Sequence, residues 1–395
     1  MNVFTDPNIL SRGIPVAGDR AELTALEDWL ASFIADIDAA GIDDTHEDAA
    51  TREYVTRLAA AGLLRLMVPA EYGGVHADVR STPICLVRQW LARHSGALDS
   101  AFVMQGLGSY PVTLAGTAAL KQSLLPRVAD GSVICGFALT EPGAGSDVSG
   151  MRTTASPAPG GWRLDGEKCF ITNAGVADSY VVFAREAAKT ADGKPRYGAF
   201  WISGDAPGLS VTRSRVTAPH PIGKLTLRGV DVGSANRLGE PGQGMRIALG
   251  TLDVFRGTVG AAALGLADRA IHEATRHLAA RVQFGKPLAA QQGLRFALAD
   301  VATDHVAAQL LVYRAAAARD DGTATPDMAA MAKMYATESA QRAVDRAVQS
   351  LGGLGVTVGQ RVEALYREVR ALRIYEGTTE VQKLVIARSL FSKGK

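Results

Sequence analysis

The stretch Phe137-Ala-Leu-Thr-Glu-Pro-Gly-Ala-Gly-Ser-Asp147 lies where the chain changes from helical to strand-like sequence. Gly143 and Gly145 expose backbone N–H groups, and the neighbouring Thr, Ser and Asp side chains add polar partners. Such a loop can hold a phosphate or the polar edge of a flat cofactor. It is not the dinucleotide pattern GxGxxG, because Val148 takes the place of the third glycine. Taken alone, the motif is better explained as a glycine-rich surface turn.

The sequence before this stretch is helical, and the sequence after it is typical of strands. Residues up to about 20 show no regular pattern, and helical spacing runs from Glu22 to about Gly108 and again over Thr117–Ala129. From about residue 133, short β-branched and aromatic runs alternate with turn signals such as Asp165-Gly166, which predicts a mostly antiparallel sheet. The predicted strands are Trp162–Leu164, Cys169–Thr172, Tyr180–Phe183, Ala199–Ile202, Leu209–Val211 and Leu225–Val232. Strands and helices do not alternate, so a doubly wound nucleotide fold is disfavoured.

Helical periodicity returns at Gly244 and continues to the end of the chain. We expect one long helix, a second, a third with Thr325 as N-cap and Pro326 at its first position, and a last one opened by a capping box at Thr379–Gln382. Short connections between these helices indicate a bundle. The predicted helices are Met245–Arg281, Leu298–Ala318, Thr325 to the Gly352-Gly353 stop, and Thr379 to about Leu390.

The predicted fold is therefore a multidomain α+β protein that is mostly α. Its N-terminal α-helical domain spans 1–132, its central antiparallel β domain 133–240, and its C-terminal four-helix bundle 241–395.

Composition excludes several classes of protein. The 395 residues include 42 Lys and Arg and 40 Asp and Glu, so the formal net charge is +2. So small a charge gives no electrostatic reason to bind nucleic acid or anionic lipid. The 3 cysteines are far apart without CxxC spacing, which indicates reduced thiols and no metal site. The N-terminus lacks the pattern of a secretory signal, and we see no apolar run of the roughly 18 residues that a membrane span needs. We expect a cytoplasmic protein without a membrane span.

Three later motifs combine glycine with a polar or charged residue. Gln349-Ser-Leu-Gly-Gly-Leu-Gly355 ends a helix, and its glycines are explained either as C-caps or as places where a ligand approaches the backbone. Arg281-Val-Gln-Phe-Gly285 ends the long helix, where Arg281 suits either the helix dipole or a phosphate. In Ile374-Tyr-Glu-Gly-Thr378, the acid is either a solvated charge or a desolvated base with a raised pKa.

Six motifs together, in their order and spacing, resemble those of the acyl-CoA dehydrogenases, which are flavoenzymes that form an α,β double bond in an acyl thioester. The resemblance covers about residues 20 to 390 and implies an α-helical domain, a β domain and a four-helix bundle. The motifs are Leu139-Thr-Glu-Pro-Gly-Ala-Gly-Ser-Asp147, Lys168-Cys-Phe-Ile-Thr-Asn173, Leu238-Gly-Glu-Pro-Gly-Gln-Gly244, Arg281-Val-Gln-Phe-Gly285, Gln349-Ser-Leu-Gly-Gly353 and Ile374-Tyr-Glu-Gly-Thr378.

The resemblance implies FAD as the cofactor and assigns residues to it. In the family, the flavin lies between the β domain and the bundle, and a neighbouring subunit completes the site, usually within a tetramer. The implied cofactor-binding residues are Phe137, Leu139, Thr140, Gly145, Ser146, Phe170, Thr172, Arg281, Phe284, Gln292, Gln349, Gly353, Thr378 and Glu380.

The resemblance also implies that Glu376 is the catalytic base, which removes the α-proton while a hydride leaves the β-carbon. One branch of the family carries its base on the long bundle helix, at the position that Phe255 occupies here, and phenylalanine cannot accept a proton. The implied acyl-CoA-binding residues are Ser146, Asp253, Arg256 and Gly377. For Asp253 and Arg256, a solvated ion pair is the alternative.

The sequence departs from the family at two places that bear on the electron acceptor. Phe170 stands where tryptophan is common, and a shorter stretch, Ala218–Lys224, replaces the usual one before the last strands. Electron-transfer flavoprotein is the acceptor that the resemblance implies. No arginine that would bind a second substrate carboxylate is evident at 98–108, which argues against a dicarboxylyl substrate.

The leading hypothesis is an acyl-CoA dehydrogenase of fatty acid metabolism that acts on short, medium or branched chains. A flavin-dependent thioester oxidase and a carrier-protein thioester dehydrogenase are enzyme alternatives. A helical protein that binds acyl-CoA without catalysis is an alternative of another class.

Overall fold

The computed structural model describes residues 20–189 and 193–392. The segment before residue 20, expected to be irregular, lies outside them. The described chain divides into two compact units. The helical unit contains residues 20–41, 80–99 and 254–392, and the sheet unit contains 42–79, 100–189 and 193–253.

Helices make up most of the described residues. They are α1 (Arg20–Ala40), α2 (Glu47–Ala60), α3 (Ser81–His94), α4 (Gly96–Ala115), α5 (Ala118–Ala129), α6 (Gly244–Phe255), α7 (Thr258–Ala280), α8 (Gln292–Asp320), α9 (Pro326–Leu351), α10 (Arg361–Leu372) and α11 (Thr379–Ser392).

The strands of the sheet unit form one sheet in the order β6-β7-β3-β2-β4-β5-β8, with β1 beside β4. Strand β4 pairs in parallel with β1 and β2, and the other pairs in this sheet are antiparallel, so the prediction of a mostly antiparallel sheet is confirmed. The strands are β1 (Cys135–Ala138), β2 (Thr154–Ala158), β3 (Gly161–Thr172), β4 (Ser179–Lys189), β5 (Pro195–Ser203), β6 (Leu209–Arg213), β7 (Ile222–Gly233) and β8 (Arg237–Leu238), and a separate hairpin in the helical unit pairs β9 (Val282–Gln283) with β10 (Lys286–Pro287).

The turn predicted at Asp165-Gly166 is wrong, because β3 runs straight through it. The register of β3 against β7 shifts between Leu164 and Gly166, which marks a β-bulge. Gly166 has φ 151°, and a Cβ there would lie 2.5 Å from Thr153 Oγ1. A glycine that resembles a turn signal here permits a bulge and a close neighbour instead.

The long helix predicted at Met245–Arg281 is also wrong, because two helices, α6 and α7, replace it. At the junction, N–H to C=O bonds join residues three apart, from Val259 to Arg256 and from Gly260 to Gly257. The Thr258 hydroxyl donates to the Phe255 carbonyl at 2.7 Å. These contacts replace the ordinary helical ladder and end α6.

Two more features of the helical unit differ from the prediction. Helix α10 was not predicted, so more than four helices follow Gly244. At α11, the Thr378 hydroxyl accepts from the Val381 N–H at 3.3 Å, so the capping residue is Thr378 and not Thr379. The predicted start of α9 is confirmed, with Thr325 as N-cap and Pro326 at its first position.

Small residues let the helices of the helical unit approach one another closely. Ala261 and Ala263 on α7 and Ala332 and Ala336 on α9 are fully buried in one core. A Cβ at Gly265 on α7 would lie 2.2 Å from the Gln89 carbonyl oxygen of α3. Close helix packing at this point therefore depends on glycine.

Among the described residues, only the segment 244–280 is long and apolar enough to meet the composition criterion for a membrane span. Of its most apolar stretch, 67% is buried inside the protein, as in the core helix of a globular protein.

Candidate functional site

Backbone strain coincides with the motifs. Of the described residues other than glycine, four have positive φ: Phe170 (54°), Asn173 (63°), Phe284 (53°) and Glu376 (52°). Asparagine tolerates this conformation, but for phenylalanine and glutamate it costs on the order of 1–3 kcal/mol and persists only where the surroundings enforce it. All four lie within the motifs quoted above, so the strained backbone and the motifs mark the same segments of the chain.

The loop between α10 and α11 carries Glu376 and is held by side chains of the helical unit. Arg256 Nε donates to the Glu376 carbonyl at 3.3 Å, and Lys333 Nζ donates to the Gly377 carbonyl at 2.8 Å. The Gln382 amide donates to both carbonyls, at 3.4 and 2.9 Å. Three donors from three separate positions therefore enforce the left-handed conformation of Glu376 and Gly377.

The Glu376 side chain has the properties of a base. Its Oε2 atom is buried and has no hydrogen-bond partner among the described residues. Burial raises the pKa of the carboxyl, and the positive charges of Arg88, Lys333 and Arg256 oppose that rise without cancelling it. A carboxylate that is poorly solvated and unpaired is reactive toward a proton, which is the property that general-base catalysis requires.

Arg88 on α3 is a buried charge near Glu376 that the sequence interpretation missed. It is 1% exposed and binds the Asp99 carboxylate through two nitrogens, at 2.8 and 2.7 Å. Its third contact is the Thr258 hydroxyl, at 2.8 Å, and it also lies beside the Tyr375 hydroxyl, whose pKa is raised by burial. Because Asp99 engages its guanidinium, Arg88 does not supply a free charge for a substrate carboxylate.

In the sheet unit, a buried ion pair joins two of the motifs. Lys168 Nζ on β3 donates to Glu141 Oε1 at 2.8 Å and to the Leu139 carbonyl at 3.1 Å. The Cys169 N–H donates to the Thr140 carbonyl at 2.9 Å. Burial lowers the pKa of Lys168 to about 8. The loop of the first motif is thereby fixed along the strand that carries Phe170.

The sequence-predicted cofactor residues of the sheet unit lie along these two segments. Leu139 is buried, whereas Phe170 is 66% exposed despite its apolar ring. Phe137 on β1 packs against Phe183 with ring centroids 5.0 Å apart. The other members are half-buried or exposed: Thr140 and Thr172 half-buried, Gly145 and Ser146 exposed.

These residues fit a flavin. A Cβ at Gly143 or Gly145 would meet no atom within 4 Å, and neither glycine has positive φ, so neither packing nor conformation within the chain requires glycine there. The open space beside both glycines leaves room for a ligand to approach the backbone closely. An exposed aromatic side chain held beside open backbone matches the apolar face and polar edge of an isoalloxazine ring.

The cofactor residues predicted in the helical unit lie on its surface. Phe284, at the turn between β9 and β10, is 91% exposed. A Cβ at Gly353 would meet nothing within 4 Å, whereas Gly352 has φ 60° and serves as the cap of α9. Thr378 caps α11, and Glu380 lies exposed in its first turn. The remaining three are exposed at helix ends: Arg281, Gln292 and Gln349.

The predicted acyl-CoA-binding residues divide between the two units. Arg256 and Gly377 belong to the Glu376 loop and its support in the helical unit. Ser146 and Asp253 are exposed residues of the sheet unit.

The chain matches three family descriptions that together cover most of its length. They are "Acyl-CoA dehydrogenase, N-terminal domain" at residues 20–132, "middle domain" at 136–230 and "C-terminal domain" at 242–391.

Individual proteins agree with these matches. Cyclohexane-1-carbonyl-CoA dehydrogenase of Geobacter metallireducens is 34% identical over 358 residues, which is 90% of this chain and 93% of that protein. The CarC subunit of the caffeyl-CoA reductase–Etf complex of Acetobacterium woodii is 36% identical, covering 87% of this chain and 90% of its own. The structure of an acyl-CoA dehydrogenase complexed with FAD from Bacillus anthracis superposes with a TM-score of 0.88 at 28% identity, covering 99% of this chain and 70% of that one.

The motifs, the fold and these matches lead to one conclusion. The chain belongs to the acyl-CoA dehydrogenase family of FAD-dependent oxidoreductases, which act on acyl-CoA thioesters.

Proposed function

We propose that this chain oxidises a saturated acyl-CoA to the trans-2-enoyl-CoA, with Glu376 as the base that removes the α-proton. The observation that supports this most directly is the buried, unpartnered Oε2 atom of Glu376 on a loop held in a strained conformation. When bound, FAD would supply the acceptor for the hydride that leaves the β-carbon. The Glu376 carboxylate takes the α-proton, so the substrate loses two hydrogens, one as a proton and one as a hydride.

The remaining roles follow from what surrounds the base. Arg256 and Lys333 fix the Glu376–Gly377 backbone, and the burial of the Oε2 atom shields that oxygen from water. We propose that Ser146, Asp253, Arg256 and Gly377 contact the acyl-CoA. Phe255 is fully buried and carries no group that accepts a proton, so it offers no alternative base.

The substrate that we propose has a neutral acyl chain, short, medium or branched. Arg88 is a buried cation whose charge acts on Glu376, and both oxygens of the Asp99 carboxylate accept hydrogen bonds from it. Arg88 therefore offers no free partner to a second carboxylate on the substrate, whose burial beside it would be unfavourable. The similarity to an enzyme named for cyclohexane-1-carbonyl-CoA supports a branched or cyclic chain.

For the electron acceptor, we propose electron-transfer flavoprotein. A relative that is named as part of an Etf complex supports this partner. The competing acceptor is oxygen, and stopped-flow reoxidation of the reduced enzyme distinguishes the two. Slow reoxidation in air with fast reoxidation by electron-transfer flavoprotein supports the proposal, whereas fast release of peroxide in air contradicts it.

We further propose a homotetramer in the cytoplasm, active in fatty acid metabolism and built from domains at 1–132, 133–240 and 241–395. Exposed apolar side chains on the helical unit, including Phe284, Phe296 and Phe391, support burial against other subunits. Light scattering on the purified holoprotein tests the subunit number, and a monomer would contradict it.

The central experiment is anaerobic flavin bleaching across a panel of acyl-CoA and carrier-protein thioesters. Wild type should bleach with at least one neutral acyl-CoA, and Glu376→Gln should bind the same thioester but bleach far more slowly. Unaltered bleaching in the variant would refute the assignment of the base. A colourless protein that FAD does not reconstitute would instead favour the non-catalytic alternative.

A further inference from the structure

Lys333 is a buried charge that packing does not explain. It lies on α9 and is 0% exposed, and the next residues on the same helix face, Ala336, Thr337 and Ala340, are also buried. Lysine is rarely buried completely unless it has a partner, because its ammonium group loses its hydration. The position on an alanine-lined face would accept a small apolar residue.

The ammonium group faces the loop that carries the base. Its Nζ atom lies 2.8 Å from the Gly377 carbonyl oxygen. Its charged neighbours are Glu376, Arg256, Glu338 and Glu380. Burial lowers the pKa of Lys333 to about 8, and the Glu376 charge opposes this effect.

A hydrogen bond to the backbone does not by itself account for this lysine. The neutral Gln382 amide, also fully buried, already donates to the same Gly377 carbonyl at 2.9 Å. Burying an ammonium group costs more free energy than one hydrogen bond to a carbonyl returns. What Lys333 adds to Gln382 is a positive charge beside Glu376.

We propose that Lys333 is a positioning residue for the base: it holds the left-handed Glu376–Gly377 backbone and favours the ionised form of the Glu376 carboxyl. The inference rests on the proposed role of Glu376. The other groups that face Glu376 are Arg256, Arg88, Asp99 and Tyr375, so Lys333 shares the electrostatic effect with two arginines and is opposed by Asp99.

The test compares Lys333→Gln and Lys333→Met with wild-type holoenzyme. The rate of anaerobic flavin reduction is measured against pH, together with FAD content and Tm. Without the lysine charge, the pH at which the rate rises should move up by about one unit, which slows reduction about tenfold on the acidic side of that rise. FAD content should stay at the wild-type level, and Lys333→Arg should return the pH profile toward wild type.

Arg342→Gln is the matched control. Arg342 lies on the same helix and pairs with Asp304 at 2.7 Å, but its side chain is 53% exposed. This variant should keep the wild-type pH profile. If the Lys333 variants lose stability or FAD while their profile stays unchanged, Lys333 is merely structural and the proposal is overturned.

A second measurement does not depend on any Lys333 variant folding. In holoenzyme that contains [ε-¹³C]lysine, the Lys333 resonance is followed against pH in wild type and in Glu376→Gln. Among the lysines that the structure describes, Lys168 also has a pKa of about 8, and its resonance is identified with Lys168→Arg. Loss of the Glu376 charge should lower the pKa of Lys333, and an unchanged titration would overturn the proposal.

The two proposals fail in different ways. If Glu376→Gln still bleaches the flavin at the wild-type rate, then Glu376 is not the base. If Glu376→Gln bleaches it far more slowly but neutral Lys333 variants keep the wild-type pH profile, only the role of Lys333 is refuted.

Discussion

Lys168 joins two segments of the sheet unit through a single ammonium group, which donates to the Glu141 carboxylate at 2.8 Å and to the Leu139 carbonyl at 3.1 Å. We therefore expect Lys168→Met to leave Glu141 buried without its cation and to loosen the loop proposed to hold FAD. FAD retention, measured by absorbance after gel filtration, should fall several-fold. The control is Lys224→Met on the same sheet, where the Lys224–Glu167 pair is exposed. Equal retention in both variants would show that the buried pair does not shape the site.

Glu376→Gln should raise the stability of the protein at neutral pH. The pKa of the folded carboxyl is raised above its unfolded value, so its contribution to stability is present at low pH and is lost as the pH rises through the folded pKa. The glutamine variant has no carboxyl to ionise, so it does not lose stability in this way as the pH rises. Its Tm should therefore exceed that of wild type by more at pH 8 than at pH 5. Glu53→Gln, which breaks an exposed pair with Arg57, serves as the control. A Tm below wild type at pH 8 would contradict the desolvation of Glu376.

In the same Glu376→Gln variant, the rate of flavin reduction should fall by about 10²–10⁴-fold, as for loss of a general base.

Flavin reduction in wild type should also depend on pH in a defined direction. Because the reaction needs the ionised carboxylate, the rate should rise with pH through a pKa above the ordinary value of about 4.3 for glutamate. Rapid-mixing measurements of bleaching from pH 5 to pH 9 check this. A flat profile would show that proton removal by Glu376 does not limit the rate.

Asp99→Asn should destabilise the helical unit, because Arg88 would keep its buried charge without a counter-ion. Removing one partner of a buried pair costs about 3–5 kcal/mol. Arg163 and Asp231 form the matched exposed pair, with side chains 52% and 68% exposed, and Asp231→Asn should change stability by about 1 kcal/mol or less. Denaturant unfolding measures both variants, and equal costs would contradict the buried character of the Arg88–Asp99 pair.

Gly377→Ala should impair catalysis as well as stability. Gly377 has φ 91°, and a Cβ there would lie 2.6 Å from Gln382 Nε2, which would displace the amide that holds the loop. Gly359 is the control, because it has φ 93° but open space around its Cβ position. Both alanine variants should lose about 1 kcal/mol or more through backbone strain. Only Gly377→Ala should slow flavin reduction, and equal kinetics in both would show that the Gln382 contact does not matter.

The fold was largely predictable, since apolar periodicity marks most helices and β-branched runs mark most strands. The errors arose where one residue type serves two purposes. Gly166 permits a bulge instead of a turn, and Gln382 binds the loop carbonyls instead of closing a capping box. Sequence alone does not distinguish these uses, because tertiary contacts decide between them.

The candidate site was predictable in its motifs but not in its supporting charges. Glu376 and the glycines stand within recognisable stretches, whereas Arg88 and Lys333 come from helices remote in sequence. A signal for Lys333 did exist, because its helical spacing from Ala336 and Ala340 puts a charge on the alanine-rich face of a predicted helix. Such a charge indicates a buried partner, but the partner itself only emerges once the helices are packed.

The four residues with left-handed backbone carry a consequence for protein engineering. A steric penalty would be removed by Phe170→Gly, Phe284→Gly or Glu376→Gly. Engineering that selects only for a higher Tm would therefore choose these positions for substitution. Those substitutions fall at the positions proposed to meet cofactor or substrate. A map of backbone torsion angles alone, without any side chains, therefore identifies the segments that a stabilisation campaign on this enzyme should leave untouched.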